Sequence, residues 1–130
     1  MSSKYSRQDA IIALTPAADM TGLEGSHCTF TGDTATLGAS TTVISTGIIL
    51  EGAKTTTKAS IGIIGALAGP VRVLLGGTVA KGDGLVQKSD GTWITDPGTG
   101  TNRVRSFIAL EAGVATQLIE AANQTPAYLT

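Results

Sequence analysis

From His27 onward, glycine and aspartate cut the chain into short runs rich in Thr, Val and Ile. The clearest cuts are Gly32-Asp33, Gly82-Asp83-Gly84 and Asp90-Gly91, and the densest stretch is GGTVAKGDGLVQKSDGTW, from Gly76 to Trp93. Glycine accepts the positive φ that tight hairpins demand, and aspartate bonds a nearby backbone amide. The runs between the cuts hold β-branched residues, which favour strands. No segment sustains a 3.6-residue apolar period for long. Such a chain is restricted to a mainly β fold, a small antiparallel β-barrel or sandwich.

The strands can be placed. Residues 28–32 form one, and Thr34 to Leu37 follow the Gly32-Asp33 turn. Residues 41–52 read as a longer strand with Gly47 as a bulge inside it. In the next segment Thr56, Lys58 and Ser60 alternate against Thr57, Ala59 and Ile61. After Pro70, Val71, Val73 and Leu75 face one way and Arg72 and Leu74 the other. Two short strands flank Ser89-Asp90-Gly91. Residues 104–113 and 114–121 close the domain, so the β domain spans residues 26–122 and 123–130 reads as a C-terminal tail.

Residues 1–25 show neither period, apart from a short helical option at 8–14. They read as an extended N-terminal arm, ordered by what it packs on. The apolar cluster Ile11, Ile12 and Leu14 would be exposed on a free arm, so it packs on its own domain or on a partner.

With 130 residues the chain can bury one core. That core is aliphatic, because the aromatic residues are only Tyr5, Phe30, Trp93, Phe107 and Tyr128. A net charge of −1 argues against nucleic acid, whose phosphates reward clustered Lys and Arg. Charged residues are 15% of the chain, so much of the polar surface is Thr, Ser, Asn and Gln, which costs little to desolvate against another protein. Cys28 is the single cysteine, so no intrachain disulfide forms. The run at 11–14 is too short for a signal peptide, and no stretch reaches the ~20 apolar residues of a membrane helix.

Reaction chemistry finds little support. The segment from Gly76 to Gly84 lacks the Lys-Ser/Thr pair of a phosphate loop and sits among strands. GTVAKGDGL resembles the turn of lipoyl and biotinyl carrier domains, with Lys88 as the residue to modify, yet the family's tip sequence is missing. His27 and Cys28 are neighbours, so in a strand they point to opposite faces. The zinc ligand sets, the calcium loop and the serine elbow are all absent as motifs. We expect no enzyme, no cofactor and no metal. The Gly76–Trp93 punctuation then serves to fold a sheet, with Val79, Leu85, Val86 and Trp93 meeting across strands.

The order of features resembles a known family. TTVISTGIILEGA, the GTVAKGDGLV turn, the Asp90-Gly91 hairpin, the PGTGTN loop and the closing ALEA strand are similar to small capsid cement (decoration) proteins of tailed bacteriophages. The likeness spans residues 41–121, with Ser106-Phe107-Ile108 where the family carries a glycine before the closing strand.

The resemblance implies a virion protein on the capsid exterior, made in the bacterial host cytoplasm. It would be a homotrimer bridging major capsid protein subunits. Residues 1–40 lie outside the likeness; for them the expectation is capsid contact by the arm, through Tyr5, Ile11, Ile12 and Leu14, adding a strand to a capsid sheet edge. Trp93 would anchor a subunit interface or cap the barrel. Arg103 and Arg105 would meet acidic capsid surface or form a solvated face. A tail or head-fibre module is the alternative virion reading.

Overall fold

The computed structural model describes residues 10–130. Among them the regular structure is all strand: β1 (Ile11–Pro16), β2 (His27–Thr31), β3 (Thr34–Leu37), β4 (Gly47–Glu51), β5 (Ala59–Ile63), β6 (Val71–Leu74), β7 (Gly84–Gln87), β8 (Trp93–Thr95), β9 (Arg103–Ala109) and β10 (Leu118–Leu129). The mainly β expectation holds, in the form of a barrel and a curled sheet.

The first five strands close into a barrel in the order β1-β3-β2-β4-β5. β5 returns to β1 with Ile11 opposite Gly62 and Leu14 opposite Ala59. β1 and β3 run parallel, and the other barrel pairs are antiparallel. The remaining strands form an antiparallel sheet, β6-β10-β9-β7-β8. This sheet curls until its edges meet: Leu75 bridges Trp93, and the Gly76 amide donates to the Trp93 carbonyl at 2.8 Å. Closure and curling both remove the exposed edges that invite uncontrolled pairing.

Each sheet surrounds its own core. Leu14, Met20, Cys28, Ala35, Ile49, Ala59 and Ile61 fill the barrel. Val73, Leu75, Leu85, Trp93, Phe107 and Ile119 lead the core of the curled sheet, which also takes Ile48 and Ile64 from the barrel's side. Each large apolar side chain buried this way contributes about 1.5–3 kcal/mol. The sheets are also bonded directly, since the His27 amide donates to the Gly91 carbonyl at 2.9 Å and the Leu74 amide to the Gly25 carbonyl at 3.0 Å.

Most expected strands fall in place. Ala59 and Ile61 point inward, as do Val73 and Leu75, while Arg72 is exposed. Residues 56–58, expected to alternate within a strand, are a turn before β5, and the bulge expected at Gly47 falls between Ile49 and Glu51. Three longer segments differ. Residues 10–25 do not form a free arm: β1 is a barrel strand and the site of closure, and Leu14 is in the core. Of the two places left open for the apolar cluster, its own domain is the one taken. Among the described residues of the short helical option, Ile11–Leu14 are strand instead, because the β5 and β3 edges supply strand partners for the backbone.

The expected tail belongs to β10, where Ala127, Tyr128 and Leu129 pair with Arg105, Val104 and Arg103 across an irregularity after Asn123. Finally, the strand expected from residue 41 begins only at Gly47. Ser40 Oγ accepts the amides of Thr42 and Val43, both at 3.0 Å, and this local turn outcompetes the strand.

Candidate functional site

The Gly76–Trp93 punctuation is used in turns and strand ends: Gly82-Asp83 and Asp90-Gly91 make turns, and Gly84 opens β7 opposite Ile108. Asp83 Oδ2 accepts the Ala80 amide at 2.9 Å and the Thr95 hydroxyl at 3.0 Å, and Gly82 beside it has φ +93°. Asp90 Oδ1 accepts the Thr92 amide at 3.1 Å. Lys88 folds back, its Nζ donating to the Gly76 carbonyl at 3.3 Å and lying 3.7 Å from Asp90. Burial alone would raise the Asp90 pKa. Its bonds to Thr92 and the charge of Lys88 bring it below the usual carboxylate value.

Asp96 ties down the glycine-rich loop at 97–102. Its Oδ1 accepts the Gly98 amide at 2.9 Å and the Arg103 Nε–H, while Arg105 Nη1 stands 3.7 Å from Oδ2. Burial opposes ionisation here too, but the Gly98 bond and the two guanidinium groups hold the carboxyl below its ordinary pKa. Both arginines share a face, and that face turns to Asp96. Arg103 is buried and Arg105 is half-exposed.

His27 and Cys28 do point apart. Cys28 lies in the barrel core, where burial pushes its thiol up to about 12. His27 is wholly buried on the other side, with its ring edge-on to Trp93 at 5.1 Å between centroids. Its Nε2–H donates to the Lys88 carbonyl at 2.8 Å, which leaves Nδ1 to accept from the Ser45 hydroxyl at 2.8 Å. The Ser45 amide donates to Gln87 Oε1 at 2.8 Å, and Gln87 Nε2 donates to the carbonyls of Val43 (2.8 Å) and Ser40 (3.1 Å). This buried chain of bonds fixes the loop at 38–46 against the curled sheet.

The candidate contact residues fall as follows. Tyr5 lies outside the described residues. Leu14 is 4% exposed and cannot reach a partner, and Ile11 and Ile12 are half-buried in β1. Trp93 is 0% exposed within the single chain. It packs edge-on to Phe107 at 4.9 Å, and its Nε1–H donates to the Gly25 carbonyl at 3.0 Å. It therefore caps the junction of the two sheets and has no area to offer another subunit.

The exposed apolar residues lie elsewhere. Val43 (61%) and Ile44 cap the 38–46 loop. Leu110, Val114 and Leu118 project around the connection from β9 to β10, and Tyr128 near the C-terminus. Beside Val43 lies an open groove of about 260 Å³ lined by Thr29, Thr36, Leu37, Ala39 and Ser40, with no charged group. Among the described residues no three His, Cys, Asp or Glu side chains gather as metal ligands, and no helix is long and apolar enough to cross a membrane. The exposed Val43–Ile44 loop and the groove beside it offer contact area. The sequence reading missed the Val43–Ile44 loop; the hydroxyl runs on either side of it, Ser40-Thr41-Thr42 and Ser45-Thr46, were the available signal.

A closed barrel joined to a curled antiparallel sheet defines an all-β protein of paired cores. No protein-family model and no curated protein matches the chain. Among solved structures, it is similar to the N base of the head fibre gp8.5 of bacteriophage phi29. The TM-score is 0.60 and the identity 14%, over 92% of this chain and 92% of that one. At that identity the likeness is one of fold.

Proposed function

We propose that this protein is a structural component on the outside of a tailed-phage head, and specifically a cement protein that binds the mature lattice of the major capsid protein. The observation that carries the virion part of the reading is the fold shared over 92% of both chains with a head-fibre base. The resemblance of residues 41–121 to cement proteins points the same way, as does a neutral surface with exposed Val43, Ile44, Val114 and Leu118. Binding to the mature lattice alone would stabilise it by the binding free energy, so modest affinity per copy suffices when many copies act. Homotrimers at local three-fold positions are part of the proposal.

The head-fibre base is the second reading, favoured by the same structural neighbour. Both readings predict attachment to heads, and stabilisation separates them. Purified expanded heads and unexpanded precursors are mixed with the protein, sedimented, and heated until DNA is released. A cement protein sediments with expanded heads only and raises the release temperature. A fibre base sediments with heads and leaves that temperature unchanged. No co-sedimentation overturns both.

A further inference from the structure

The groove beside Val43 has the size and chemistry for one large side chain. Its volume of about 260 Å³ falls below the ~300–1,000 Å³ of pockets that hold whole small molecules. Leu37 and Val43 give it apolar walls, and Thr29, Thr36 and Ser40 add hydroxyls. It has no charged group, so a lysine or arginine head would lose its water there without a counter-charge. An aromatic ring with a hydroxyl at its tip suits both the apolar walls and the polar rim.

A segment of the same chain sets out close to it. Ala10 and Thr46 flank the end of β5: the Ile63 amide donates to the Ala10 carbonyl and the Ile64 amide to the Thr46 carbonyl, both at 2.9 Å. Two strand spacings therefore separate Ala10 from Thr46, ~10 Å in all. Thr46 adjoins Ser45, a wall of the groove. Ala10 has a φ of 52°, which turns the preceding chain out of the line of β1. Residues 1–9 lie outside the described residues. Counting back from Ala10, an extended chain reaches Tyr5 within ~17 Å, enough to bring its ring to the groove. Tyr5 is the one aromatic residue in this segment, and Lys4, Arg7 and Asp9 carry charges the groove does not accommodate.

We propose that residues 1–9 fold back over the 38–46 loop of their own chain and seat Tyr5 in the groove, so that Tyr5, Val43 and Ile44 form one apolar surface. The seat is a property of the isolated chain and stands apart from the virion reading.

The test is disulfide trapping in the full chain under mild oxidation. Ser6→Cys is paired either with Thr41→Cys on the loop or with Thr125→Cys on β10, both at exposed positions. Thr125 is a fair control, because Gly65, two residues past Ile63, lies against it. Cys28 stays out of the reaction, since it is buried and its thiol is pushed up to about 12. With Tyr5 seated, the 6–41 disulfide should close within single chains at least ~10-fold faster than the 6–125 one, through its higher effective concentration. Adding Tyr5→Ser to the 6–41 pair should remove that advantage. Equal rates at the two sites, or a 6–41 rate indifferent to Tyr5→Ser, overturn the proposal. Disulfides between chains, read as a doubled mass, overturn it as well, because the groove then takes a second copy.

Discussion

Ile48 and Ile49 are consecutive residues of β4, yet they belong to different cores: Ile49 points into the barrel and Ile48 into the space under the curled sheet. Both are fully buried. One strand is thus the common wall of both halves. Ile48→Ala and Ile49→Ala should each cost about 2–5 kcal/mol. Because the wall is shared, urea unfolding should stay a single transition in both variants by fluorescence and by circular dichroism. Two separate transitions would show that the halves fold independently.

Two of the buried serines, Ser45 and Ser106, should behave in opposite ways. Ser45 gives its hydroxyl to His27, whereas Ser106 Oγ is buried without a hydrogen-bond partner. Ser45→Ala should therefore cost about 1–3 kcal/mol, since it strands the imidazole nitrogen. Ser106→Ala removes a polar atom that gains nothing from burial and should change stability by less than about 1 kcal/mol, or raise it. Denaturant midpoints of the two variants decide the matter.

Asp96 is the counter-charge for a buried arginine. Asp96→Ala leaves Arg103 without its partner and should cost about 3–5 kcal/mol. The glycine-rich loop should also become sensitive to limited proteolysis, because the bond from Gly98 goes with the carboxylate. A proteolysis pattern like that of the parent chain would refute this role.

Stability should fall in two acid windows. His27 has its folded pKa lowered from 6.5, mainly by burial, so the unfolded chain takes up the proton first. Its contribution is complete above about pH 6.5 and declines as the pH drops from there through the folded value. Asp90 and Asp96 are lowered from 3.8, so their contribution is complete above that value and is lost below it. Urea midpoints across this range should show two descents. A His27→Gln variant should lack the upper one.

Head binding should respond to the exposed loop and not to β1. Val43→Asp should weaken co-sedimentation with expanded heads about tenfold or more while leaving the thermal midpoint nearly unchanged, since Val43 is largely exposed. Leu14→Asp, by contrast, should fail at folding, because Leu14 fills the barrel. If Val43→Asp binds like the parent chain, the contact lies elsewhere, with the Val114–Leu118 region the next surface to change.

Local chemistry made several features legible in the sequence. The Gly-Asp turns, the alternation in β6 and the opposite facing of His27 and Cys28 depend on residues close together, so period and turn propensity suffice to place them. The same holds for the all-β class, but the aliphatic core holds only for the barrel, since Trp93 and Phe107 are the largest side chains in the core of the curled sheet. What the tertiary structure decided depends on partners far along the chain. β1 is a strand because β5, some 50 residues later, offers it an edge. Residues 123–129 are strand because β9 pairs with them.

Residues 41–46 are loop, despite their β-branched content, because the local Ser40 turn that starts the loop is held in place by Gln87 and His27. Trp93 caps a junction because Gly25, in the turn before β2, and His27, in β2, meet it from the barrel side. A strand's identity can be read from its own residues, but whether an edge or a buried acceptor awaits it is settled only when distant segments close together.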